Sequence, residues 1–454
     1  MTQIRRSKLT RRRGNLRIII ISLGIVCGSV FTFTTLYNLS RISKHDIDEY
    51  KRRKRSVHEI HTDINKPDKT PNQAVVNPPD ISTSNSKASG SNTSYYWDIR
   101  RKINAKLPFE TYQDMERTVA YVTTKRKPEF RVKEELLSDL SYDIYNCPEK
   151  PPENYPMEWP LVSLLDNWNP NDTTKRTGIY QGLCRFDYET ELDKAERYRE
   201  AEKPFLLRND PQVLRVVERW SQPGYLSDIL GNQKYQTEYS KTNHLMYYKG
   251  NGRKMDENWE PPIINIRMTY DEWFEKATQP VEDMGPDKPH WYFRVNGKRT
   301  EGGSFVFEEL PFFKPEKNFY IVDEKNTRGI NCRFGMNGNI AVAHFDSFRN
   351  FIMLFGGERR YILSHPKNCD KLGLYKRPHP SSRHSALDWS NPDLDQFPEF
   401  SEAMANEVVL QAGDVLYLPT YWFHFIVSLG LNWQCNARSG ATYDYDPQIT
   451  QCGF

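Results

Sequence analysis

Ala343-His344-Phe345-Asp346, read together with Leu416-Tyr417-Leu418-Pro419-Thr420-Tyr421-Trp422-Phe423-His424, decides the fold of this chain. Side chains repeat every second residue on a strand, so His344 and Asp346 point to one side while Phe345 packs on the other. An imidazole and a carboxylate so placed, with a second imidazole, His424, arriving from a later strand, cover one face of an octahedral metal and leave the other open. That is the 2-His-1-carboxylate arrangement suited to iron(II). Taken singly, each histidine reads as a hydrogen-bonded structural residue. The strands around them favour the metal. From Gly329 onward, strand-like runs follow at short spacing: Asn339 to Phe345, Phe351 to Phe355, Arg359 to Leu363, Glu407 to Leu410, Asp414 to Leu418, His424 to Val427 and Leu431 to Ala437. Gly356-Gly357 and Ala412-Gly413 supply turns. Many short strands without a long helix between them predict a sandwich or barrel. Cys369 to Glu402 interrupts the series as a polar, proline-rich insertion.

Upstream, the elements are mixed. Tyr188 to Glu202 reads as a helix with a solvated face whose charges need no partner. Pro204 to Arg208 is a short strand. Asp210-Pro211 places an N-cap and an N1 proline before Val213, Leu214, Val216, Val217 and Trp220 at helical spacing. Tyr225 to Leu230 is a short helix closed by Gly231, and Ile263 to Ile266 a strand. Thr269 and Glu272 form a capping box. His290 to Phe293 is a further strand.

With these residues in hand, the C-terminal half resembles a JmjC-type, cupin-like domain of the 2-oxoglutarate-dependent oxygenases, and within them the asparaginyl hydroxylase that acts on hypoxia-inducible factor. The matching stretches are Met268 to Phe274, the Tyr292 strand, Gly335 to Asn339 leading into Ala343 to Asp346, and Gly413 to Pro419 leading into Trp422 to His424. The likeness covers roughly residues 200 to 440. It implies a mainly β domain at 200–454 with helical N-terminal additions (α+β), built as a double-stranded β-helix or jelly roll with iron at one mouth. By motif position, His344, Asp346 and His424 are implied as iron ligands. Tyr292 and Arg359 are implied at the distal carboxylate of 2-oxoglutarate, with Asn350 and Asn436 near its other end. Two departures stand out: Arg359 replaces a lysine of the asparaginyl hydroxylase pattern, and Ala341 replaces a hydroxyl residue. Arginine grips a carboxylate bidentately but is wider than an ammonium. Arg438 shares strand parity with Asn436 and is a second candidate anchor. Plainer roles stand beside these: Tyr292 as a core aromatic, and Arg359, between Glu358 and Arg360, as a surface charge. The implied activity couples oxidation of 2-oxoglutarate, with ascorbate as reductant, to hydroxylation of a protein substrate.

The N-terminal third reads differently. The first 55 residues hold 14 Lys/Arg against 3 Asp/Glu, and the other residues hold 49 against 56. A mildly acidic body argues against nucleic acid as partner. Residues 18–37 run without a charge, long enough for a helix to cross a bilayer. Residues 1–17 are then a basic cytosolic tail, although Arg41, Lys44 and Lys51 to Arg55 nearly balance it. Residues 38–95 form a Pro/Asn/Ser-rich stem that cannot bury enough surface to order itself, and 96–199 an N-terminal extension. This is the layout of a type II signal-anchored membrane protein with a lumenal body in the endoplasmic reticulum or Golgi. Sequons at Asn92 and Asn171 suit a glycoprotein, and six cysteines follow the span, an even number that permits disulfides of unspecified pairing. The same layout suits a glycosyltransferase, for which Asp393-Leu394-Asp395 and Asp444-Tyr445-Asp446 are formal D-x-D motifs. A third reading, motivated by Arg359 and Ala341, is a cupin-like binding module without turnover. Oligomeric state and processing after Arg55 stay open.

Overall fold

The computed structural model describes residues 109–250, 252–254, 256–297 and 305–454. The tail, the span, the stem with its Asn92 sequon and residues 96–108 of the N-terminal extension lie outside them. No helix among the described residues is long and apolar enough to cross a membrane.

Fifteen strands follow in chain order. They are β1 (Trp159–Pro160), β2 (Arg185–Asp187), β3 (Phe205–Arg208), β4 (Tyr235–Ser240), β5 (His244–Leu245), β6 (Ile264–Met268), β7 (His290–Gly297) and β8 (Thr327–Gly335). Then come β9 (Ile340–Phe345), β10 (Asn350–Gly356), β11 (Glu358–Ser364), β12 (Met404–Gln411), β13 (Val415–Leu418), β14 (Phe423–Ser428) and β15 (Asn432–Ser439). Two sheets contain them, one ordered β1-β12-β11-β14-β9-β5 and the other β2-β3-β13-β10-β15-β8-β7-β4-β6. Strands β8 to β15 supply four neighbours to each sheet, β12-β11-β14-β9 facing β13-β10-β15-β8, with antiparallel pairing throughout. This is the eight-stranded jelly roll, two sheets sharing one interior.

Alternation sorts the side chains. On β10, Phe351, Met353 and Phe355 face outward into a cluster with Val213, Val216, Val217 and Trp220 of the helix Pro211–Trp220, while Ile352 and Leu354 face the interior with Tyr361, Leu363, Leu416 and Trp422. With both faces covered, β10, β11, β13 and β14 are buried along their whole length, as expected of strands sandwiched between layers. The outer helix starts where the sequence places it: Asp210 accepts from the Gln212 amide at 2.8 Å with Pro211 at N1. The capping box of Thr269 and Glu272 also forms.

Three disulfides pair all six cysteines of the described residues: Cys147–Cys184, Cys332–Cys435 and Cys369–Cys452. Two expectations change. Glu202 lies past its helix, which ends at Glu200, and is buried, accepting from Tyr417 at 2.9 Å and paired with Arg349; it does need partners. Arg359, open to a surface reading, is fully buried, as is its neighbour Arg360. The polar insertion after Cys369 contributes to the core: Leu372, Leu387, Trp389 and Phe400 bury themselves against β9 and β14.

Candidate metal centre

Strands β9 and β14 pair antiparallel with His344 directly opposite His424, and Asp346 follows the end of β9. The ligand atoms of these three residues all lie within 4.8 Å of one another, the one such cluster of His, Cys, Asp and Glu among the described residues. Each imidazole meets the carbonyl two residues before it: His344 Nδ1 to Val342 at 2.7 Å and His424 Nδ1 to Trp422 at 3.0 Å. A carbonyl only accepts, so both Nδ1 atoms carry the proton and both Nε2 lone pairs are free for a metal. Burial, then the neighbouring rings of His424 and His384, pushes His344 well below the ordinary imidazole range, and burial lowers His424. Neutral imidazoles are what a metal takes.

Asp346 has the opposite balance. Burial by itself would raise its pKa, but Arg438, the two imidazoles and Arg383 overcome this and hold the carboxyl well below the carboxylate range. Arg438 reaches Oδ2 at 2.7 Å and Arg383 reaches Oδ1 at 3.2 Å. The donor set of two free Nε2 atoms and one ionised carboxylate fits a divalent, nitrogen- and oxygen-loving metal.

The remaining candidates fall into two groups. Near the metal end, Asn436 donates to Asn350 at 2.7 Å, and Asn350 leans on Asp346 at 3.4 Å. At the far end, Arg359 Nη1 donates to the Tyr292 hydroxyl at 2.9 Å, Nη2 to the Arg333 carbonyl at 3.1 Å, and Nε to Asn432. The structure thus joins Tyr292 to Arg359 but sets Arg438 at Asp346, apart from that pair. Gly335 explains how the arginine fits: a Cβ there would stand 3.2 Å from Arg359 Nη2 and 3.0 Å from Asn432 Oδ1. Asn432 was missed in sequence, although it lies on the parity of Asn436.

The insertion contributes residues no spacing suggested. His384 bridges to His344 through the backbone, its ring stacked on that of His344 at 4.9 Å and 18°. Burial and then Arg383 push His384 down to about 4. Arg383 also donates to the Phe345 carbonyl at 2.8 Å. In the first D-x-D motif, Asp393 caps a turn through the amides of Asp395 and Gln396.

The pattern of a family described as a cupin-like domain matches residues 191–447. Mouse tRNA wybutosine-synthesizing protein 5 is 32% identical over 127 residues, 28% of this chain and 35% of that protein. Jumonji C domain-containing protein 5 of Drosophila melanogaster is 24% identical over 242 residues, 50% and 52% of the two chains. Zebrafish lysine-specific demethylase 8 is 36% identical over 185 residues, 38% and 43%. The chain thus spans about half, or less, of the length of these relatives.

Proposed function

This chain belongs to the cupin-like domain family, and from that premise we propose that it is an iron(II)- and 2-oxoglutarate-dependent oxygenase. Relatives named for JmjC domains and lysine demethylation support the oxygenase class, since JmjC domains are typically enzymes of this kind. The observation that carries the reading is the open Nε2 face of His344 and His424 beside ionised Asp346, in the same barrel as the Tyr292–Arg359 pair.

In this reading, His344, Asp346 and His424 would hold iron(II), where O₂ would be the oxidant: 2-oxoglutarate would take one oxygen atom to give succinate and CO₂, and a substrate C–H bond would take the other as a hydroxyl group. The chain does the rest. Asn432, Tyr292 and the Arg333 carbonyl fix the Arg359 fork before any ligand arrives, leaving guanidinium hydrogens for a distal carboxylate; a pre-oriented fork loses little freedom on binding. His384 covers one side of the His344 ring by stacking on it. As substrate we propose a protein of the secretory pathway, hydroxylated by a lumenal body behind the anchor at 18–37. Three disulfides support an oxidising compartment.

A second reading has its own support. Two arginines already neutralise Asp346, so the triad is not costly without a metal, and a binding module without turnover is compatible with it. One experiment separates them. The soluble body from residue 94 is loaded anaerobically with iron(II), its metal is quantified, and succinate is measured with 2-oxoglutarate, O₂ and ascorbate, His344→Ala serving as control. The oxygenase reading expects stoichiometric iron and iron-dependent succinate, both lost in the variant. Iron without any binding or turnover of 2-oxoglutarate would leave the module.

A further inference from the structure

The barrel holds a guanidinium that neither the metal triad nor the Tyr292–Arg359 pair uses. Arg333 is on β8, and its neighbours Cys332 and Phe334 face the outer apolar cluster, so alternation turns Arg333 towards the interior. It is level with Gln434 on one side and Arg294 on the other. Its guanidinium carbon lies 6.0 Å from the centre of the Tyr292 ring, whose other guanidinium neighbour, Arg359, lies at 5.3 Å.

Arg333 lacks what a partly buried cation normally has. Its side chain makes one long contact, 3.5 Å to the Cys332 carbonyl, and no described carboxylate is within ion-pair distance. Glu238, the acid whose charge bears on it, is taken by Arg294. Burial and the like charges of Arg294 and Arg438 push its pKa down to about 9, so it is still charged at neutral pH. Unlike Arg359, it keeps access to solvent.

We propose that Arg333 is a second carboxylate-binding residue of this site, set beside Arg359 and nearer the solvent. The carboxylate is either the distal group of 2-oxoglutarate, where Arg333 makes good the donor missing at Ala341, or an acidic side chain of the substrate. The inference rests on the oxygenase reading for its first source and not for its second.

The test uses the body loaded with Mn(II), which binds without turnover, and the variants Arg333→Gln and Arg333→Lys. Unchanged Mn(II) affinity and melting temperature report an intact fold. Affinities are measured for 2-oxoglutarate and for 2-oxobutyrate, which has the same 2-oxoacid head without the distal carboxylate. A charge-assisted pair corresponds to a loss of about ten- to a hundredfold. If the carboxylate is the cosubstrate's, Arg333→Gln loses this on 2-oxoglutarate alone and Arg333→Lys recovers part. If it is the substrate's, both 2-oxoacids bind as before, while fluorescein-labelled Gly-Glu-Gly-Glu-Gly binds wild type more tightly than Arg333→Gln and its Gln counterpart does not distinguish them. Arg333→Gln matching wild type for every probe, or wild type binding none, overturns the proposal. Wild type that binds Mn(II) and no 2-oxoglutarate defeats the oxygenase reading instead, and the peptide arm then decides.

Discussion

At the scale of single residues, Gly335 is as much a part of the candidate site as the charged side chain it accommodates. A methyl group there would lie 2.7 Å from Ser428 Oγ and crowd both Asn432 and Arg359. Gly335→Ala is expected to cost about 1–3 kcal/mol through overpacking and to weaken 2-oxoglutarate binding while leaving Mn(II) binding at the triad intact. Calorimetry with each ligand checks this, and equal loss of both would mean general unfolding. His365 yields a pH prediction. Its Nδ1 accepts from the Lys367 amide at 3.0 Å, its ring lies against Trp422 and Tyr445, and burial, then Lys367 and Lys203, depresses its pKa to about 3. The fold therefore rejects the proton. The stability is present in full above the ordinary imidazole pKa of about 6.5 and is lost as pH falls from there towards 3, by at most about 1.4 kcal/mol per pH unit. His365→Asn, which keeps a capping acceptor, should flatten that fall in urea melts between pH 7 and 4; parallel curves for the two proteins would exclude the assignment. The triad was legible because two ligands share one strand parity and the third sits in a recognisable strand entry. Arg333 was not, since its only signal is the apolar character of Cys332 and Phe334.

At the scale of elements, seven of the eight jelly-roll strands, β9 to β15, were readable one by one from alternation and glycine turns, with ends within a few residues of those observed, while β8 was not read as a strand. Their partners were not, because pairing is set by packing across the barrel and leaves no local mark. The part that the insertion at Cys369 to Glu402 plays in the core was illegible for a related reason. Its large apolar side chains are scattered among prolines and polar residues without a period, yet they converge on one cluster with Ile449 of the C-terminal helix Asp446–Gln451 and Cys452 just after it. The Cys369–Cys452 disulfide joins these segments across 83 residues. Its removal in Cys369→Ser/Cys452→Ser is expected to cost about 4–5 kcal/mol by chain entropy. It should also open the insertion to trypsin at Lys376 and Arg383, and with it uncover the His344 ring from His384. Cys147→Ser/Cys184→Ser, placed away from the insertion, is the comparison: equal cleavage of the insertion in both variants would rule out the staple.

At the scale of the whole molecule, the question is how much of the chain the barrel needs. The family pattern begins at 191, but both sheets recruit strands from before it, β1 alongside β12 and β2 alongside β3. The tie is also polar. Fully buried Arg360 pairs with Glu407 and donates to the carbonyls of Trp168 at 2.6 Å and Leu164 at 3.1 Å, lying over the Trp168 ring. Cutting the chain at 200 would strand two of these donors beside a charge, at a cost of about 1–3 kcal/mol for each unsatisfied group, and uncover the apolar surface that Trp159, Leu161, Leu164 and Trp168 bury. Leucine- and tryptophan-sized side chains contribute about 1.5–3 kcal/mol each when buried, so the combined loss approaches the entire stability of a typical domain. A fragment of residues 109–454 is therefore expected to be monodisperse and to melt cooperatively, and one of residues 200–454 to aggregate or bind hydrophobic dye without a cooperative transition. Size-exclusion chromatography with thermal melts distinguishes them. A shorter fragment that melts cooperatively and binds Mn(II) as tightly as the longer one would mean that the jelly roll holds its metal face without the segment before it, and that β1, β2 and the Arg360 network serve something other than folding.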